Sequence, residues 1–211
     1  MATALSPLTA DEFARHPAAR GASELVRGVV RVMSPAGGRH GRVALRMAMS
    51  IEAYASPRGL GVAFADGTGF HLPIPGARRD TVRTPDVAFV RRGVLPGDVV
   101  PIGFLRCAPD LAVEVLSPDD RAAEIAARMA DYFAAGTRCV WVVDPEARTV
   151  AVHLPGAEPR LVGGDAAPDA APDAAPDAAP DTVLDGAPAG TNPTTAEERA
   201  TLRTSVAAPE G

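Results

Sequence analysis

The chain reads as an α/β or α+β protein: one mixed β-sheet flanked by helices, with a hairpin near the N-terminus and a separate C-terminal tail. Three observations carry this. Segments 86–90 and 111–116 are short apolar runs of strand character, and 119–135 has helical periodicity. That helix leads straight into a second apolar strand, a strand–helix–strand unit. Finally, residues 166–181 spell AAPD four times, a pattern with no large side chain to bury and a proline every fourth residue.

Taken in order, Thr9-x-x-Glu12 has the form of a capping box and predicts a short helix over 8–16. Residues 24–33 (ELVRGVVRVM) break at Gly28 and predict a hairpin. From Gly38 to Tyr54, Val43, Leu45, Met47, Met49, Ile51 and Tyr54 mix with arginines and predict a long helix. Strands are predicted near 61–65, 69–72, 86–90 and 111–116. In 119–135, Ile125, Met129, Tyr132 and Phe133 share a helical face, Asp119 or Asp120 would cap it, and Gly136 would stop it. Cys139–Val143 is a strand closing on an Asp144-Pro145 turn, and Thr149–Leu154 is expected to complete the sheet. The folded domain is placed at 1–164, with 165–211 as a disordered Ala/Pro/Asp-rich tail.

Composition narrows the function. Hydrophobic residues make up 46% and no apolar run approaches the roughly 20 residues needed to span a bilayer. The first residues lack a basic stretch followed by an apolar one, so a cytoplasmic protein with no membrane partner is expected. Cys107 and Cys139 lack metal-ligand spacing and are read as two reduced core thiols. The chain has no lysine; all 21 basic residues are arginine. The net charge of −5 divides unevenly. Residues 165–211 hold nine of the 26 acids and two of the arginines, which leaves 17 acids and 19 arginines, a net of +2, in residues 1–164. A mildly basic domain is compatible with a nucleic-acid partner without announcing one.

The chemistry centres on two acids in strand contexts. Asp86 stands in TPDVAFV and Glu114 in LAVEVLSP. Burying a carboxylate costs several kcal/mol unless it is compensated. Two on neighbouring strands would also repel, and a divalent cation between them removes the conflict. Plainer readings stand beside this one: Asp86 as a turn residue opening a strand, Glu114 as an exposed residue on the face opposite its neighbours. No G-x-S-x-G elbow, P-loop lysine or dinucleotide fingerprint is present, and His16, His40, His71 and His153 are scattered.

Together, ELVRGVVRVMSP (24–35), His40, TPDVAFV (84–90), LAVEVLSP (111–118) and YFAAGTRCVWVVDP (132–145) resemble the Uma-type endonucleases. These are bacterial members of the restriction-endonuclease-like PD-(D/E)XK superfamily, and the resemblance runs from about residue 24 to 154. It implies a mixed central sheet flanked by helices and a DNA phosphodiesterase using Mg²⁺ or Mn²⁺. Asp86 and Glu114 match the metal-binding acids, and the Val115 carbonyl would be a third oxygen ligand, the donor type hard cations prefer. The superfamily's usual lysine position, two after the acid, is Leu116. The resemblance instead places the cation on the following helix, four residues before the tyrosine of Y-x-x-x-G; with Tyr132 as that tyrosine, the position is Arg128. Arginine stabilises charge but cannot serve as a general base. Glu24 matches a recurring acid that adds or orients a ligand, with a surface salt bridge as the alternative. His40 would contact phosphate or assist proton transfer. Arg39, Arg42 and Arg46, spaced by three and four, would lie on one helical face and meet DNA phosphates. A homodimer is a further expectation, since enzymes of this kind that cut both strands often pair. The competing reading is a catalytically weakened or inactive nuclease-fold protein that binds DNA or protein.

Overall fold

The computed structural model describes residues 7–118 and 120–163; the AAPD repeat, the rest of the expected tail and Asp119 lie outside these. Among the described residues, ten strands form two sheets, accompanied by three α-helices.

The first helix, α1 (Ala10–Arg15), begins at the expected capping box: the Thr9 side chain accepts from the Glu12 amide while Glu12 reaches back to the Thr9 amide. Strands β1 (Ser23–Val26) and β2 (Val29–Val32) form the expected hairpin. Both turn residues, Arg27 at φ 48° and Gly28 at φ 79°, have the positive φ that a tight two-residue hairpin turn requires. The long helix α2 spans Gly38–Ala55. Then come β3 (Gly61–Ala65), β4 (Phe70–His71), β5 (Val82–Arg83), β6 (Val87–Arg91) and β7 (Leu111–Val115). Helix α3 (Ala122–Ala135) ends at Gly136, whose left-handed φ of 103° lets its amide cap the Tyr132 and Phe133 carbonyls. Strands β8 (Cys139–Asp144), β9 (Thr149–His153) and β10 (Arg160–Gly163) complete the described chain.

The central sheet has the order β10-β9-β8-β7-β6-β3, with β7–β8 its parallel pair. That pair is the strand–helix–strand unit read from sequence, with α3 as the crossover. On one face, Met47, Ile51 and Tyr54 of α2 pack against Val87, Phe89, Leu111, Val113 and Val115. On the other, Tyr132 of α3 packs with Ala88, Val90, Ala112 and Val140. Because both faces are covered, β7 is buried along its whole length.

Three features differ from the sequence expectation. The N-terminal hairpin is part of a second sheet, order β2-β1-β5-β4; β4 lies within the strand expected at 69–72, whereas the two-residue β5 is too short to give a periodic signal. The central sheet continues past Leu154 to β10, a largely exposed edge strand without apolar alternation. Helix α3 starts at Ala122 with Arg121 as its cap and no side-chain capping bond. Asp120 does not cap it, because its carboxylate is taken by the Ser117 amide at 2.7 Å. Among the described residues no helix is long and apolar enough to cross a membrane, and Cys107 and Cys139 are free thiols.

Candidate active site

The two sheets meet at Thr84-Pro85-Asp86. Strand β5 ends one sheet at Arg83, β6 begins the other at Val87, and Pro85 has no amide to continue a ladder between them. The site is built around this junction.

Val87 pairs with Val113 in the antiparallel β6–β7 register, so one step further along the same register sets Asp86 opposite Glu114. The Val115 amide donates to Asp86 Oδ2 at 2.7 Å, closing the two strands across that position. His40, in the first turn of α2, places Nε2 3.1 Å from the same Oδ2. A carboxylate only accepts, so Nε2 carries the proton in this contact. Two donors on one oxygen fix the carboxylate plane and leave Oδ1 accepting no hydrogen bond among the described residues. The other ring nitrogen of His40, Nδ1, is buried and has no partner among them.

Glu114 is 3% exposed, which removes the reading of an exposed acid. Helix α3 supplies its partners from two positions four apart, and therefore from one face. The Tyr132 hydroxyl donates to Oε1 at 2.7 Å and Arg128 Nη1 lies 3.4 Å from Oε2. Burial pushes the Glu114 carboxyl up to about 8; Asp86 and Glu24 push the same way, against Arg128 and the Tyr132 hydroxyl. Burial, with Glu114 beside it, likewise holds Tyr132 well above the ordinary phenol value, so it stays a donor. For Arg128, burial works against the charged form, but Glu114 and Glu24 outweigh it and push the guanidinium further up. His40 is raised by its hydrogen bond to Asp86, against burial, with the charges of Asp86, Asp66 and Asp120 adding to the rise.

Glu24 is buried, not part of a surface salt bridge. In β1 it sits across from Arg83 of β5, one step from the Leu25–Val82 pair. Oε2 accepts from Arg83 Nη1 at 2.7 Å; Oε1 accepts from the Thr84 amide and from Arg128 Nη1, both at 3.0 Å. Arg83 in turn donates to Asp131 of α3 at 3.0 Å and 2.6 Å. Arg128 Nη2 reaches the Met33 sulfur at 3.0 Å.

Asp86, Glu114, Arg128, Glu24, His40 and the Val115 amide thus lie together in the fold. Arg39 and Arg42 are exposed on the first turns of α2, beside His40, and Arg46 is half-buried further along. Arg83 and Asp131 were missed as site residues, and Tyr132 served only as a landmark. A signal for each existed: Arg83 lies in an otherwise apolar-flanked Val-Arg-Thr-Pro-Asp run, and Asp131 and Tyr132 follow Arg128 at three and four residues.

The charges test whether a cation fits. With the carboxylates ionised, Glu24 and Asp131 balance Arg83 and Arg128, so that foursome is neutral. Asp86 and Glu114, beside His40, would then add two negative charges, the complement of a divalent ion; with no cation, burial keeps a proton on Glu114 up to about pH 8. Among the described residues no three His, Cys, Asp or Glu side chains form a metal-holding group. A cation here would rest on two carboxylates plus backbone and water oxygens, the arrangement Mg²⁺ commonly takes.

By sequence, residues 10–177 match the Uma2 family, described as "Putative restriction endonuclease". Among solved structures, the chain is similar to "a putative nuclease belonging to DUF820" from Anabaena variabilis ATCC 29413. The two are 24% identical with a TM-score of 0.62, over 74% of this chain and 84% of that one, a likeness of fold. No curated protein matches. With its fold shared by that nuclease and four-fifths of its length matched by the family, the chain belongs to the Uma2 family of restriction-endonuclease-type proteins.

Proposed function

We propose that the protein is a metal-dependent endonuclease that hydrolyses phosphodiester bonds in DNA. The observation that carries this reading is the pairing of Asp86 and Glu114 across the β6–β7 register, two carboxylates side by side with Asp86 Oδ1 accepting no hydrogen bond among the described residues. Asp86 Oδ1, Glu114 Oε2 and the Val115 carbonyl would hold Mg²⁺ or Mn²⁺. Such an ion supplies Lewis acidity toward water and toward the charge that develops on a phosphate.

The remaining chemistry belongs to the chain's own groups. His40 and the Val115 amide hold the Asp86 carboxylate against rotation, and Tyr132 does the same for Glu114. Outer partners of this kind are worth about 10–100-fold in metal affinity or activity. Arg128 keeps a fixed positive charge beside Glu114; permanently protonated, it stabilises anionic charge and moves no proton. Arg39 and Arg42, exposed on the helix that carries His40, are placed to meet the flanking backbone phosphates.

One observation favours the second reading, a weakened enzyme acting as a binding module: Arg128 is engaged by Glu24, Glu114 and Met33 together. Cleavage of labelled duplex DNA with Mg²⁺, Mn²⁺ or EDTA separates the two. The nuclease reading expects metal-dependent cleavage, abolished by EDTA and reduced at least about 100-fold in Glu114→Gln, more than an outer partner is worth. Duplex binding that is indifferent to EDTA, with no cleavage in either metal, would establish the binding module instead.

A further inference from the structure

Glu24 was expected either to ligate the metal or to orient a ligand, and its surroundings decide between the two. Oε2 is taken by Arg83, which is itself clamped by two bonds to Asp131. Oε1 accepts from the Thr84 amide and from Arg128. Buried at 1% exposure, with the Arg83 guanidinium on one oxygen and that of Arg128 on the other, Glu24 would take a divalent cation only against two fixed positive charges or by giving one of them up, a loss costing several kcal/mol.

Arg128 is held unequally by its two acids. Nη1 lies 3.0 Å from Glu24 Oε1 and 3.4 Å from Glu114 Oε2, so Glu24 draws the guanidinium to its own side. Were Glu24 uncharged, Glu114 would be its nearest remaining carboxylate. Arg128 would then close on Oε2, and Tyr132 already occupies Oε1. A protein cation would thereby sit where the divalent ion is expected.

We infer that Glu24, anchored by the Arg83–Asp131 pair, is a positioning residue that holds Arg128 back from Glu114 and so keeps Glu114 open to a divalent cation. This rests on the metal-dependent reading above. It turns the second sheet, which carries Glu24 and Arg83, into the part of the fold that regulates access to the carboxylates.

A double-mutant cycle read by Mn²⁺ binding tests it, with calorimetry or the electron paramagnetic resonance signal of free Mn²⁺ on the full chain and circular dichroism as the check on folding. Glu24→Gln is expected to weaken Mn²⁺ by roughly tenfold or more, the scale of an outer partner. Arg128→Gln alone is expected to tighten it. Adding Glu24→Gln to Arg128→Gln is expected to change affinity by less than about twofold, the range of uncoupled sites, because no guanidinium remains to be held back. The double variant also conserves net charge and leaves Arg83 paired with Asp131. The comparison within the Arg128→Gln background therefore decides the matter even where Glu24→Gln alone fails to fold. A loss that persists in that background would make Glu24 a ligand and overturn the inference. So would a Glu24→Gln variant that is folded and binds like wild type, with the metal reading intact. A wild-type chain that binds no Mn²⁺ would overturn both together.

Discussion

At the scale of single residues, the site is a problem of buried charge. Glu114 is held between a hydroxyl and a guanidinium, yet burial still outweighs them and lifts its carboxyl from an ordinary 4.5 to about 8. Between those values the folded chain keeps a proton that the unfolded chain has released, so stability falls as pH rises through that window. His40 acts in the same direction: its raised value contributes stability below about 6.5 that is lost as pH climbs through the folded pKa. His153, lowered by burial, acts the opposite way, so comparison with a variant is needed. Thermal melts in EDTA at pH 5.5 and 8.5 are expected to show a lower Tm at the higher pH, with much of that difference absent in Glu114→Gln. An equal pH dependence in the variant would mean that Glu114 titrates normally. Asp86 and Glu114 were legible in the sequence because each is an acid inside an apolar run. Arg83 and Asp131 carried only a positional signal, because a charge beside a strand or on a helix reads as solvent-facing until its partner, 48 residues away, is known.

At the scale of elements, long periodic segments were the legible ones: α2, α3, and strands β3, β6, β7, β8 and β9 all fall where patterning places them. The second sheet was legible only in part: its hairpin and β4 fall where strands are expected, but the two-residue β5, which pairs with β1 and β4, owes its form to that pairing rather than to its own sequence. That sheet delivers Glu24 to the site, and its hairpin turn anchors it. Gly28 donates to the Asp80 carbonyl and accepts from the Leu8 amide. A Cβ there would lie 2.5 Å from that of Pro7, at a φ that side chains rarely adopt. Gly28→Ala is therefore expected to cost about 1–3 kcal/mol, or several degrees in Tm at roughly 2–4 °C per kcal/mol for a chain of this size. The shifted hairpin should also weaken Mn²⁺ binding through Glu24. A variant that melts like wild type would show that the turn has another conformation available.

At the scale of the whole molecule, the junction between the sheets is what makes the site. Thr84-Pro85-Asp86 ends one ladder and starts the next, and α2 and α3 bring His40, Arg128 and Tyr132 to it from opposite faces of the central sheet. Asp86 and Glu114 lie side by side at that junction, in a chain whose family is described as restriction endonucleases. The most direct test is nicking of supercoiled plasmid by wild type and Asp86→Ala in Mg²⁺, Mn²⁺ and EDTA. The account predicts nicking by the wild type in at least one metal, none in EDTA, and a loss of at least about 100-fold in Asp86→Ala. Nicking that survives Asp86→Ala, or that proceeds in EDTA, would contradict it.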